Sequence, residues 1–490
     1  MLSRLPYDIL LTIVQHLRLR DVANFQQSCK ALRDFAQTKP VWRNSTIDIL
    51  DACRPLPVKG FTPISELSIA ELAETLKSTV RLQKAWASRC PSLTSYTILG
   101  TDEELIWLSP ITSMYTLCCT DTGTVMCWNG NQSIAEWSSG DEWEIWKCRV
   151  EFEDRVVYFV MAKRSDLLTE CQLVALVFPV DGPPCFEMRS TFTLPGWVMS
   201  VYLLDPSRRL LSAYLWLESS GSLALYVLLD WEKRLTAFFD TGILCVPHQE
   251  WTCLGYDPSN IIIHCEEKER ITQYRYPITL LEKNASLSQP LVVTGTLAPP
   301  ERTSLPFINN LPLYDEYLSL NSHFVRQWWP TVPSSAIQRR SSTIILFAYR
   351  NPDSGVHLAT LAQHYFSIPL QAQQLRRWYV HEPFEIACFS HGHGDNMHDV
   401  PMIAVDFGHA VWLEYVERDT EEKRLRFVTF PGVDVDRSSE EFNQLSADVH
   451  TLDVPADLNL NEICHMGIDQ AQGSVILGLV GGKIFIIKYM

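Results

Sequence analysis

Tyr202-Leu203-Leu204-Asp205-Pro206-Ser207 leads into an apolar run at Leu210-Leu211, and 52 residues later Leu254-Gly255-Tyr256-Asp257-Pro258-Ser259 leads into Ile261-Ile262-Ile263. Each stretch reads as an apolar strand, a turn opened by Asp-Pro, and a second apolar strand. At the C-terminal end, Met466-Gly467-Ile468-Asp469 precedes Val475-Ile476-Leu477, a Gly481-Gly482 turn and a last run from Ile484 to Ile487. Nearer the start, Thr120 to Asn129 reads as strand, tight turn, strand. Closing strands of successive units fall near Trp128, Val177, Val227, Tyr274, Leu358, Leu413 and Ile486.

The first four of these markers stand about 50 residues apart, the length of one blade of a β-propeller. Two later gaps are longer. One holds Glu282 to Ser341, with seven prolines, and reads as an insertion of about 282–341 around part of a blade; the other holds the charged stretch Glu417 to Arg437. Seven units is the count that fits best, with six and eight open. The expected body is therefore an all-β propeller over residues 94–490.

Residues 1–48 have a different period. Leu5-Pro6 gives a proline start, and Ile9, Leu10, Ile13, Val14 and Leu17 recur at helical spacing. Asp21 suits the N-cap of a second helix, and Ser28 that of a short third one carrying Cys29, Leu32 and Phe35, which ends before Pro40; Trp42 closes the segment. Residues 49–93 read as a linker: a proline-rich stretch from Cys53 to Pro63, then an amphipathic helix over Ser65 to Arg89 marked by Leu72, Leu76, Leu82 and Trp86. The fold class is thus α plus all-β, a three-helix N-terminal module and helical linker ahead of the propeller.

The chain has 490 residues, 46% of them hydrophobic and 20% charged, which excludes a fibre or a polyelectrolyte. Its net charge of −16 is uneven. Residues 1–90 hold 13 Lys+Arg and 8 Asp+Glu, or +5, leaving −21 on the remainder. A body of that sign repels phosphate backbones, so no nucleic-acid partner is expected. No run is long and apolar enough for a membrane span, and the 14 scattered cysteines contain no CxxC, so buried thiols in a reducing cytoplasmic or nuclear setting are expected.

Leu5-Pro6-Tyr7-Asp8-Ile9-Leu10, Ile13, Leu17, Asp21-Val22, Ser28-Cys29-Lys30, Leu32-Arg33 and Val41-Trp42 stand in an order and spacing that resembles the F-box, from residue 3 to about 48. Asp8, where Glu is commoner, and Ala31, where a bulkier residue is frequent, are mild departures. The resemblance implies a docking module for a Skp-family adaptor and, through it, a cullin–RING ubiquitin ligase. The adaptor-binding positions it implies are Leu5, Pro6, Asp8, Ile9, Leu10, Ile13, Leu17, Leu19, Cys29, Lys30, Leu32 and Trp42. Independently, 45 residues cannot bury three apolar helical faces without a partner surface. Gly123 to Asn129 is similar to the closing strand of a WD-type blade, with Asn129 in place of the usual Asp. An F-box, an amphipathic helix and a divergent propeller together are similar to many fungal F-box proteins.

That combination implies the substrate-receptor subunit of an SCF-type ligase, without catalysis or cofactor of its own, its propeller holding an unknown protein target. Two other functions remain: an F-box scaffold acting without ubiquitination, and an enzyme built on the propeller. His391-Gly392-His393-Gly394-Asp395, with His398 and Asp399, looks like a metal site but lacks a second fixed cluster, and a solvated loop is the better reading. Leu479 to Ile484 lacks the spacing of a phosphate-binding loop and reads as a hairpin. Trp328-Trp329-Pro330 reads as an anchor of the insertion, or as an exposed recognition element. The helical module precedes the first blade and so occupies one face, leaving the other for a client. The acidic body, with Glu417, Glu421 and Glu422, favours a basic one.

Overall fold

The computed structural model describes residues 2–17, 19–51, 56–86, 88, 90–152, 154–165, 167–245, 249–257, 259–266, 270–287, 292–306, 319–327, 340–350, 357–367, 376–379, 384–386, 402–416, 422–429 and 449–489. A single 3-10 turn at Leu2–Arg4 leads to α1 (Tyr7–Val14), which has Pro6 at its N-cap. Next come α2 (Leu19–Ser28), α3 (Lys30–Ala36) and α4 (Lys39–Asp51). Asp21 lies inside the first turn of α2 and is not its cap. Ser28 ends that helix, its hydroxyl donating to the Asn24 carbonyl at 3.1 Å, and Cys29 takes the N-cap of α3 in extended conformation.

The helix α4 corrects the three-helix expectation. Pro40 starts a helix instead of ending the module, because the first N–H groups of a helix have no intrahelical partner to lose. Leu10, Val14, Val22, Phe25, Leu32, Phe35 and Val41 form one helical core. One residue beyond Val41, Trp42 belongs to a second core with Ile49, Leu50, Leu56, Ile64, Leu72, Leu76 and Phe407. Thus α4 ties the N-terminal module to the linker, and Phe407 ties the linker to the body.

The linker helix α5 (Ile69–Trp86) opens with a reciprocal cap: the Glu71 N–H donates to the Ser68 hydroxyl, and the Ser68 N–H donates to the Glu71 carboxylate at 2.8 Å.

The body is seven antiparallel sheets among the described residues. After β1 (Ser95–Gly100), blade 1 is β2 (Leu105–Pro110), β3 (Tyr115–Thr120), β4 (Thr124–Asn129) and β5 (Gln132–Ser138). Blade 2 is β6 (Glu144–Glu151), β7 (Val156–Arg164), β8 (Leu168–Val177) and β9 (Cys185–Pro195). Blade 3 is β10 (Trp197–Asp205), β11 (Leu210–Leu217), β12 (Ser222–Asp230) and β13 (Leu235–Leu244). Blade 4 is β14 (Glu250–Asp257), β15 (Asn260–Glu266), β16 (Arg270–Pro277) and, after α6 (Ile278–Lys283), β17 (Glu301–Pro306). Blade 5 is β18 (Ser319–Gln327), β19 (Arg340–Arg350) and β20 (His357–Ser367), with β21 (Arg376–Tyr379) and β22 (Phe384–Ile386) both on β20. Blade 6 is β23 (Ile403–Asp406), β24 (His409–Tyr415), β25 (Lys423–Thr429) and β26 (Val449–Thr451).

Blade 7 is made from both ends of the body. Strands β27 (Ile463–Asp469), β28 (Ser474–Leu479) and β29 (Lys483–Lys488) supply three strands, and β1 adds the fourth, in register from Ser95 opposite Lys488 to Gly100 opposite Lys483. Inner strands adjoin around the centre, β2 next to β6, β6 to β10, β10 to β14, β14 to β18, β23 to β27 and β27 to β2. Pairing β1 into blade 7 joins the two ends of the body.

The sequence markers fall on third strands: Trp128, Val177, Val227, Tyr274, Leu358 and Ile486 lie in β4, β8, β12, β16, β20 and β29, and Leu413 lies in the second strand of its blade. Each blade has a further outer strand that the pattern missed. The outer strand β5 contacts a neighbour on one edge only and stays largely in water, so it lacks the apolar run that makes a strand legible. The stretch 282–341 is not wholly extra to the blades, since it carries β17, β18 and the start of β19. Trp328-Trp329-Pro330, the cluster from His391 to Asp399, Glu417 and Glu421 lie outside the described residues.

Candidate functional site

The N-terminal module presents an apolar face to solvent. Ile9 is 45% exposed, beside exposed Leu2, Pro6, Tyr7 and Asp8, with Leu5 and Ile13 half-buried. Cys29 and Lys30 are exposed at the corner between α2 and α3. Not every expected docking position shares this exposure. Leu10 and Leu32 are in the helical core, Leu17 is half-buried against it, and half-buried Trp42 packs with the linker. The backbone of Leu19 is in α2, and its side chain lies outside the described residues. Leu2 and Tyr7, which were not among the expected docking positions, add to the exposed apolar surface; the Tyr7 ring meets Phe35 edge-on at 5.1 Å. The signal for Tyr7 was available as a large apolar residue off the buried stripe of α1.

The linker is seated on one face of the propeller, the one carrying the first and third turns of each blade. Phe61 packs among Tyr115, Phe152 and Phe178 of blades 1 and 2, with its ring 4.7 Å from that of Phe178. Gln472, in the first turn of blade 7, donates from Nε2 to the Val58 carbonyl at 3.1 Å. Trp86 stacks on Phe427 at 4.2 Å and lies 5.6 Å from Tyr489. The contact is tight enough that a Cβ at Gly473 would come within 2.3 Å of Leu82. Those contacts reach blades 1, 2, 6 and 7 on one face, as expected from chain order.

A central cavity of about 660 Å³ is lined by the inner strands, with Leu56 and Val58 of the linker at one end. Arg149 of β6 donates to the Leu203 and Leu204 carbonyls of β10 and pairs with Glu151. Burial raises the Glu151 carboxyl above its usual range, and the Arg149 guanidinium offsets part of that rise. The recurring aspartates of the sequence shape first turns. Asp469 Oδ1 accepts the N–H groups of Ala471 at 3.0 Å and Gln472 at 3.1 Å, while Asp406 accepts those of Phe407 and Gln470. Gln470 Oε1 in turn accepts from the Gly408 N–H and His409 Nδ1. Among the described residues no group of three metal-ligating side chains converges.

Burial, with like-charge repulsion from Asp406 second, pushes the Asp469 carboxyl up from 3.8 to about 7; Lys488 and the two N–H groups oppose the shift. A carboxyl whose pKa is raised on folding favours the folded state below its unfolded pKa, and loses that contribution as pH rises towards 7. Asp469→Asn keeps an oxygen for both N–H groups and removes the charge. Its melting temperature should be close to wild type near pH 4 and exceed it increasingly up to pH 8, by an amount equivalent to about 4 kcal/mol. Parallel stability curves for the two proteins would contradict this account.

Residues 2–48 match the F-box-like family. Among curated proteins none matches the chain. Among solved structures, the WD40 β-propeller domain of Doa1 is similar at 11% identity and a TM-score of 0.33, over 81% of this chain and 97% of that one. The propeller assignment comes from the strand pairing. The chain therefore joins an F-box-like helical unit to a seven-bladed β-propeller. No described helix is long and apolar enough to cross a membrane.

Proposed function

We propose that the protein is a substrate-receptor subunit of an SCF-type ubiquitin ligase, acting in the cytoplasm or nucleus. The F-box-like unit binds a Skp-family adaptor and thereby a cullin–RING scaffold, and the propeller holds a protein target. The observation that carries this reading is the coincidence of the F-box-like match at residues 2–48 with a helical unit whose apolar residues around Pro6 and Ile9 are left in water. The role of the chain is then effective concentration: it holds a target lysine beside the charged ubiquitin carrier, and the chemistry is done elsewhere in the complex.

Among the expected docking positions, Pro6, Asp8, Ile9, Cys29 and Lys30 are exposed, and Leu5, Ile13, Leu17 and Trp42 are half-buried. Leu10 and Leu32 support them from within. Ile9→Glu, placed on solvent, should leave the fold intact and cost at least tenfold in adaptor affinity, read by co-purification and titration calorimetry with the Skp-family adaptor. The Leu5→Ala/Pro6→Ala pair should also lose most capture. Full capture by Ile9→Glu would overturn the docking face. If the adaptor binds but no client is ubiquitinated in a reconstituted ligase, the scaffold role replaces the receptor role.

A further inference from the structure

Second turns and blade-to-blade connections open on the face away from the linker. On that face large apolar side chains are gathered over blades 2 and 3. Leu167 is 78% exposed and Trp197 68%, with Leu168 and Trp216 also in water. Trp197 and Trp216 are direct cross-strand partners on β10 and β11, which brings their Cβ atoms to about 5 Å. Leu168 pairs with Pro195, and the Gly196 N–H donates to the Leu167 carbonyl at 3.0 Å, so the leucines adjoin the tryptophan pair through one turn of chain. Single exposed apolar residues are ordinary; two adjacent tryptophans with two leucines beside them are not.

The charge around the patch has one sign in excess. Asp141, Glu142, Glu144, Glu170 and Glu218 lie at the adjoining turns and strand ends, against Lys163 and Arg164. Those two cations are already matched, Lys163 with Glu142 at 2.7 Å and Arg164 with Glu144 at 3.9 Å. Five carboxylates less two cations leaves −3 around the patch. That sign selects among occupants. An anionic membrane surface is repelled, although tryptophan and leucine would suit one. A second copy meeting this face with its own is repelled in the same way.

We propose that this face over blades 2 and 3 docks an extended segment of a partner protein that alternates apolar anchors with lysine or arginine. The apolar side chains cover Trp197 and Trp216, and the cations lie along Glu170 and Glu218. The proposal rests on the receptor reading for its biological sense, since it names the chemical class of the client, but its geometry is separate from the F-box-like unit.

The probe is a fluorescein-labelled peptide of twelve residues alternating leucine and arginine, titrated with the full chain and read by anisotropy. Two control peptides replace every arginine by glutamate or every leucine by serine. Wild type should bind the first peptide and neither control. Trp197→Ala/Trp216→Ala should weaken binding about thirtyfold, as loss of an aromatic hot spot does. Glu170→Gln/Glu218→Gln should weaken it several-fold and flatten its dependence on salt. All four side chains are on the surface, and an unchanged circular-dichroism melt checks that the variants fold. Unaltered affinity in the tryptophan pair, or equal binding of the serine peptide, overturns the proposal. So does capture of phosphatidylserine vesicles, or self-association, that the tryptophan pair abolishes while peptide binding persists. Adaptor capture is measured on the same proteins. If it is retained while peptide binding is lost, the patch is supported; a wild type that binds peptide but no adaptor overturns the ligase reading and leaves the patch standing.

Discussion

A chain truncated after Gly473 is expected not to fold. The lost segment contains β28 and β29, the middle of blade 7, and β29 is the strand on which β1 pairs. Eight buried apolar side chains go with it, including Ile476, Leu477, Phe485, Ile487 and Tyr489. At about 1.5–3 kcal/mol each this amounts to about 12–24 kcal/mol, more than the ~5–15 kcal/mol by which a domain is usually stable. The remaining inner strands would face an open gap, with β27 and β1 as unpaired edges. The truncated protein should emerge aggregated, with no cooperative melt and rapid proteolysis across residues 94–473. A cooperative transition near the wild-type temperature would show that the ring does not depend on this closure.

The second large effect is expected at Trp86, far from any docking surface. The side chain is 2% exposed, stacked on Phe427 and within ring contact of Tyr489 and His409. Trp86→Ala should cost about 3–5 kcal/mol, the range for removing a large buried aromatic, read as a lower urea midpoint. Because the Trp86 Nε1 has no hydrogen-bond partner, Trp86→Phe gives up packing but no polar contact, and should cost only about 1–2 kcal/mol. Limited proteolysis should then cut between residues 52 and 68 in the alanine variant, as α5 loses its seat on blades 6 and 7. Adaptor capture should persist, since Trp86 takes no part in the core of α1 to α3. An unchanged urea midpoint in Trp86→Ala would show that the helix is held elsewhere.

Trp86 also shows what could be read from the chain alone. Trp86 was legible as the last member of an apolar stripe, because helical periodicity is local. Its contact with Phe427, some 340 positions later, was not. The F-box-like pattern was likewise legible as order and spacing, but exposure split its members: Ile9 and Leu10 are neighbours in sequence, and one faces water while the other fills the core. Trp42 looked like the end of the module and is in fact packed with the linker, because α4 runs on through Pro40.

The sequence by itself determined the two classes of structure, their order along the chain and the blade period, because hydrophobic spacing and turn chemistry act over a few residues and repeat with each blade. It also settled the acidic sign of the body, which is a sum over side chains and needs no coordinates. Only the tertiary structure decided that β1 closes blade 7, that the linker covers one face, and that Leu167, Trp197 and Trp216 meet on the other. Those depend on contacts between segments tens to hundreds of residues apart, and an apolar residue looks the same in sequence whether closure of the ring buries it or leaves it at the rim.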